Sequence, residues 1–336
     1  MPNLSHNLKK PNCVQFGYDT KNISMEFSVM IYFLLTTAQA STFYLSDIGV
    51  RGMSRGGAYV AGANTISAQW YNPAALTRIK GGMFGVDTAV VHQFIDFNRT
   101  DYPGEGPLDE DGDPTDLINN PVTNGAKPVI IPHMGFAYGW EKFTAFIGFT
   151  TPYAGDFSYP ADGPQRYSLI DTVVIHTFTG PSFAYQALPW LSIGAGLSWN
   201  TMKIGQSRKI ALYMDTEADA ERAQGRETTD FDVLFEVEAQ DQSAIAYNLA
   251  TLIEPEHKKW AFGLMVQPSI GFDAKGFMNA DFSENTYSGL FSETNVKDDE
   301  ITLDVTMPSI IRTGFLYRPV PNLEIECAYV WEGWSS

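Results

Sequence analysis

The chain has 336 residues and a net charge of −17, with 22 Lys and Arg against 39 Asp and Glu. So acidic a chain offers little basic surface to neutralise phosphates, which excludes a general nucleic-acid binder. A mean hydropathy of −0.15 excludes a bundle of membrane helices. It does not exclude a transmembrane β-barrel, whose apolar residues hide in alternation.

Phe27–Ala40 reads FSVMIYFLLTTAQA, an apolar run closing on small residues. That is the core and cleavage pattern of a secretory signal. The run falls short of the ~20 residues that span a bilayer as helix, so an anchor helix is the weaker alternative. Residues 1–24 exceed an ordinary basic leader, which points to a misassigned start with translation beginning nearer Met25. The expected divisions are 1–40 (signal peptide with that extension), 41–80 and 81–336.

Residues 41–80 show no alternation. Ser54–Ala58 and Ala61–Ala63 are small enough for close backbone packing. SAQWYNPAALTRI, from Ser67, suits a short helix with Pro73 in its first turn.

Beyond residue 80 the period becomes two. In WLSIGAGLSWN, Leu191, Ile193, Ala195, Leu197 and Trp199 share one face, opposite Ser192, Gly194, Gly196, Ser198 and Asn200. Such segments predict strands at 82–97, 132–141, 143–152, 172–186, 190–204, 243–253, 259–272, 301–318 and 322–333. Trp190, Trp199, Trp260, Trp331 and Trp334 fall at strand ends, as in an interfacial girdle. Short turns near 139–143, 186–190, 254–260 and 318–322 alternate with long acidic loops at 98–130, 153–171, 205–243 and 274–300. This rhythm predicts an all-β fold, an up-and-down antiparallel transmembrane barrel rather than a Greek-key sandwich. An odd strand count leaves an open edge, which lipid does not tolerate, so a C-terminally truncated barrel is expected.

With the external turns assigned, the economical place for 41–80 is inside the barrel. GMSRGGAYVAGANTISAQWYNPAALTRIKGG resembles the N-terminal hatch of the FadL/TodX family of outer-membrane transporters. Asn72, Pro73, Ala74 and Leu76 match the family's hatch motif, whereas Ala75 stands where Gly is usual. GFTTPYAGDFSYP, GPSFAYQALPWLSIGAGLSW and MPSIIRTGFLYRPVPNLEIECAYVWEGWS resemble later segments of the family in the same order.

The resemblance implies a fourteen-stranded barrel plugged by a hatch, of which this chain would carry nine strands. It implies passive diffusion of long-chain fatty acids or other hydrophobic compounds across the bacterial outer membrane. Asn72 and Pro73 would then hold the hatch against the wall, with Trp70 and Tyr71 pressing on it. From the residues alone, Asn-Pro also reads as a plain helix start. Pro152 and Gly155 are candidates for a strand kink giving lateral exit; alternatively they end the strand. Lys203 and Arg312 are expected on the inward register, and Arg51 or Arg55 within reach from the hatch, to meet a ligand carboxylate. The alternative is pairing with Glu324 or Glu326, or a solvated rim.

Cys13 and Cys327 offer no disulfide framework once the signal is removed, and no cysteine-based zinc site. Asp109–Asp116 reads as a solvated acidic loop rather than a calcium loop, with divalent bridging to lipopolysaccharide an open option. The five histidines lack ligand spacing, and no nucleophile elbow or P-loop occurs. No enzyme, metal or cofactor is expected. The expected partners are a hydrophobic small molecule, outer-membrane lipid and lipopolysaccharide, with the protein monomeric. A general porin, or a receptor or adhesin using its long loops, are the competing readings.

Overall fold

The computed structural model describes residues 47–99, 121–212, 229, 231–285 and 296–334. The expected signal segment 1–40, Asp109–Asp116 and the middle parts of the expected 205–243 and 274–300 loops lie outside the described residues.

Two short helices, α1 (Val50–Ser54) and α2 (Ala68–Tyr71), and a 3₁₀ segment at Pro73–Arg78 form the leading piece. Thirteen strands follow among the described residues: β1 (Gly81–Val91), β2 (Asp96–Phe97), β3 (Val122–Thr123), β4 (Val129–Trp140), β5 (Phe143–Ser158), β6 (Asp171–Leu188) and β7 (Leu191–Ala211), then β8 (Asp232–Ile253), β9 (Trp260–Gln267), β10 (Ile270–Asp281), β11 (Val296–Met307), β12 (Ile310–Val320) and β13 (Leu323–Glu332). All but β2 and β3 join one 11-stranded sheet in the order β1-β4-β5-β6-β7-β8-β9-β12-β13, with β10 between β8 and β11. Pro268-Ser269 separates β9 from β10, and Pro308-Ser309 separates β11 from β12. Each pair is therefore one crossing interrupted by a proline that cannot donate to the ladder. The sheet makes nine crossings among the described residues, in the order read from the alternation.

Strand ends differ from expectation in a consistent way. β5 continues to Ser158, β7 to Ala211, β8 begins at Asp232 and β10 reaches Asp281. These extensions mix charged and polar residues with the apolar ones, so apolar alternation fades while the ladder persists; a backbone needs only a partner strand. β1, conversely, stops at Val91, and Asp96-Phe97 pairs with Val122-Thr123 in a separate ribbon.

Burial follows the predicted parity. On β7 the side chains of Ile193, Leu197 and Trp199 are exposed, whereas Ser192, Gly196, Ser198 and Asn200 are buried. The inward face is thus the polar and small one, the inverse of a soluble sandwich. From Trp190 to Trp199 the strand rises about 30 Å at ~3.3 Å per residue, and a ~45° tilt brings that near 20 Å along a bilayer normal. Trp260 stacks on exposed Phe315 in the outer belt. Trp334 departs from the girdle expectation. It turns inward beyond β13 and packs edge-on against buried Tyr153 at 6.2 Å.

The leading piece lies inside the curl of this sheet. Ile66 sits over Gly85 of β1, and the Ile79 carbonyl over Gly139 of β4. Gln69 donates to the Gly180 carbonyl of β6 at 2.9 Å, and the Glu326 carboxylate of β13 accepts from the Ala61 N–H at 2.7 Å. No flat sheet could offer strands from β1 to β13 to one short segment. The shared core accordingly joins Trp70, Tyr71, Ala74 and Leu76 to Phe146, Phe178, Met265 and Leu316 of the wall.

Candidate functional site

The leading piece, residues 47–80, called the hatch below for its place inside the sheet, is seated by its own turn chemistry. Asn72 has extended backbone and caps the 3₁₀ segment, its side-chain oxygen accepting from the Ala74 N–H at 3.0 Å. Pro73 stands at the first position, where its missing N–H costs nothing. The Asn72 amide nitrogen is thereby free to reach the wall, donating to the Thr251 carbonyl of β8 at 3.1 Å. One residue therefore starts the helix and ties it to the wall, so the two readings of Asn-Pro describe the same geometry.

The wall makes room for this turn. A Cβ on Gly194 of β7 would stand 2.3 Å from the Ala74 nitrogen and 2.6 Å from the Pro73 carbonyl carbon. A Cβ on Gly263 of β9 would stand 2.7 Å from the Asn72 amide nitrogen. Only glycine permits backbone contact this close.

Trp70 is fully buried, edge-on to Phe178 of β6 with ring centroids 6.0 Å apart. The Arg312 guanidinium lies 4.3 Å from the Trp70 ring centroid and donates to the Trp70 carbonyl at 2.8 Å. Arg312 does face inward from β12, as its parity predicts, but it holds the hatch. Tyr71 accepts from the Ile48 N–H at 2.8 Å and meets Tyr59 edge-on.

The other predicted cations are also placed. Arg51 donates to Asn64 at 2.5 Å. Arg55 bridges to Glu324 at 2.9 Å and Glu326 at 3.0 Å, the carboxylate pairing named as its alternative. Lys203 corrects the expected inward register. It shares parity with Leu197 and Trp199, faces outward, and pairs with Glu238 at 2.6 Å. The inward neighbour is Met202, which is buried.

Three residues that sequence reasoning did not single out complete the lower end. Arg78 donates to both Glu254 oxygens, at 3.2 and 3.0 Å, and to the Ala61 and Ala63 carbonyls. Arg318 joins Glu254 to Glu324 at 2.9 and 2.8 Å. A chain of alternating charge thus runs Arg78–Glu254–Arg318–Glu324–Arg55–Glu326 around the short-turn mouth. Glu254 lies in the turn after β8; burial raises its carboxyl, but Arg78 and Arg318 outweigh this and hold it below the ordinary range. Only the position of Glu254 and Arg318 in short turns of neighbouring hairpins hinted at this chain.

Above the hatch the lumen carries a second cluster: Tyr153, Met202, Ala246, Ile270, Phe272 and Met307. His176 stacks on Tyr153 at 5.5 Å, meets Phe272 edge-on at 5.3 Å and bonds Asn200 at 3.1 Å. Tyr153 follows Pro152 directly. There the β5–β6 register shifts between Thr150 and Tyr153, while β4–β5 pairing stops at Met134 opposite Phe149. β5 nevertheless runs on to Ser158, so Pro152 and Gly155 sit within a bulged strand and do not end it. Over residues 150–158 β5 has no ladder to β4, and at its end the Ser158 carbonyl accepts from the Gly125 N–H at 2.8 Å.

Residues 31–336 match the family described as Outer membrane protein transport protein (OMPP1/FadL/TodX). Among solved structures, a Pseudomonas aeruginosa FadL homologue is similar at TM-score 0.65 and 14% identity, covering 88% of this chain and 70% of that one. The P. putida toluene transporter TodX is similar at 0.58 and 14%, covering 85% and 70%. The CymD monoaromatic hydrocarbon channel is similar at 0.52 and 15%, covering 86% and 69%. At these identities the likeness is one of fold. No curated protein matches the sequence.

Proposed function

The chain belongs to the OMPP1/FadL/TodX family of outer-membrane transport proteins, and from that premise we propose that it passes hydrophobic compounds by passive diffusion through a hatch-plugged barrel. Ligand enters from the long-loop side, rests on the aromatic cluster around Tyr153 and Phe272, and leaves laterally past Pro152 and Gly155 into the bilayer. The observation that carries this reading is the adjacency of cluster and bulge: Tyr153 belongs to both. An apolar solute gains from each step out of water, and no gradient-coupled machinery is needed. Export by the Phe27–Ala40 signal, monomeric operation and contact with lipopolysaccharide belong to the same reading.

Fatty acids and monoaromatic hydrocarbons are both candidate ligands, the latter by the names of two fold neighbours. The engagement of Arg55, Arg78 and Arg312 within the hatch, and of Lys209 with Asp162 and Glu284, favours an uncharged ligand over a carboxylate. The test is entry of labelled toluene and labelled oleate into proteoliposomes, with planar-bilayer conductance measured alongside. Faster toluene entry than in empty vesicles, with little steady current, is the expected result. Large stable currents would make the protein a general porin. Unchanged entry of both solutes would leave the barrel as an anchor for its loops.

A further inference from the structure

A second interruption of the ladder lies four strands round the sheet from the β4–β5 gap, with β5 to β8 between them. β8 pairs with β10 as far as Gln240 opposite Lys275, and with β9 from Leu249 opposite Val266. The register is the same on both sides, yet no ladder pair joins 241–248 to 267–274, all of them described residues. The two strands hold one register at both ends and share no ladder between those points, which makes an eyelet in the hydrogen bonding of the wall.

The parting is written into the sequence. Pro268 brings no N–H to the ladder. The Asp273 N–H is taken by the Asp241 carboxylate at 2.9 Å, in place of a β8 carbonyl. The other oxygen of Asp241 accepts from the Ser243 N–H and hydroxyl, both at 2.8 Å, fixing a turn where β8 bulges against β7. Unpaired backbone within lipid is costly, so a break supplied with its own substitutes is a kept feature.

Its two mouths differ in chemistry. Outward, Ile245, Tyr247 and Leu249 are exposed in register with Trp199, Leu197 and Ala195, so the lower part of the eyelet opens on the apolar band. Inward, Ala246, Ile270 and Phe272 belong to the aromatic cluster above the hatch. Ala244, Ala246 and Gly271 leave little side-chain volume between the mouths. The seam also stands over the hatch tie. Asn72 donates to Thr251 just below it, and a Cβ on Gly263 would strike the same amide.

Resting on the transport reading above, we infer that the β8/β9–β10 seam is a second lateral passage, through which an uncharged apolar ligand passes from the luminal cluster to the bilayer. One site then drains through two openings, past Pro152 on β5 and past Pro268 beyond β9.

The test closes the seam reversibly. Asn248→Cys with Gln267→Cys, both buried on the inward face and the first positions beyond the Leu249–Val266 pair in the shared register, is built in the full chain carrying Cys13→Ser and Cys327→Ser. A control pair, Thr251→Cys with Leu264→Cys, lies in the intact β8–β9 ladder. Labelled toluene entry into proteoliposomes is measured for each protein oxidised and reduced, with cross-linking and folded gel mobility checked on the same samples. With the seam bonded, entry falls about twofold or more, recovers on reduction, and the control pair shows no change; two parallel exits sharing the flux predict that size. Full cross-linking with undiminished entry overturns the second passage while leaving the transport reading intact. Toluene entry no faster than in empty vesicles for the cysteine-replaced parent overturns the transport reading, and this passage with it.

Discussion

The lower and upper halves of the wall are built to different rules. Toward the short turns the β7–β8 and β8–β9 ladders are continuous, and residues 47–80 press backbone to backbone on Gly194 and Gly263 between larger inward side chains such as Phe178 and Met265. Toward the long loops the ladders part at β4–β5 and at β8/β10, and the inward space is held by aromatic rings and ion pairs. There, Arg166 of the 159–170 loop donates to Asp232 at 2.8 Å, both side chains fully buried, and Tyr167 donates to the other Asp232 oxygen at 2.7 Å. The difference teaches where this sheet holds firm and where it yields. Close packing with shared hydrogen bonds fixes residues 47–80, whereas the longest ladder gaps fall on crossings that carry a proline or a bulge.

Four substitutions or titrations bear on that contrast. Trp70→Ala strikes the lower half hardest, removing a buried indole and the surface that Arg312 covers. A loss of about 3–5 kcal/mol is expected, read as an earlier unfolding midpoint in urea by folded gel mobility. Arg166→Met leaves Asp232 buried without its ion-pair partner and costs about 3 kcal/mol. Its damage should stay above: limited proteolysis cuts the 159–170 loop while the hatch remains protected. Release of the hatch by this change would abolish the two-half description.

Asn72→Ala removes the cap and the tie to Thr251 together, for about 1–2 kcal/mol. Protease sensitivity within 47–80 should rise, with the 159–170 loop unaffected. The smallest effect is that of acid on Glu254. Its carboxyl is held below the ordinary range, so its stabilisation is fully present above ~4.3, the unfolded value, and is lost as pH falls through the lower folded one. Hatch protection should therefore weaken only in that acid range, and Glu254→Gln should flatten this component of the pH profile.

Much of the wall was legible. Leu191 to Trp199 alternate because lipid and lumen make opposite demands on neighbouring residues, and the fold keeps that parity. The turn within SAQWYNPAAL was legible, since Asn72 and Pro73 carry a local cap that needs no distant partner. The destination of each cation was not. Arg312 and Lys203 are both basic residues on strands, yet one covers Trp70 and the other faces outward beside Glu238. Trp334 likewise reads as a girdle residue until the chain after Glu332 turns it toward Tyr153.

Periodicity, turn residues and composition by themselves determined the strand order, the outward band and the turn at Asn72, because those depend on near neighbours in the chain and on a two-sided environment. Tertiary structure alone decided which carboxylate each arginine meets, which glycine seats the hatch, and where the ladders part. Those outcomes depend on the stagger of strands far apart in sequence, such as Arg55 against Glu326 and Asp241 against Asp273. A pairwise register between distant strands leaves no mark on either strand taken alone.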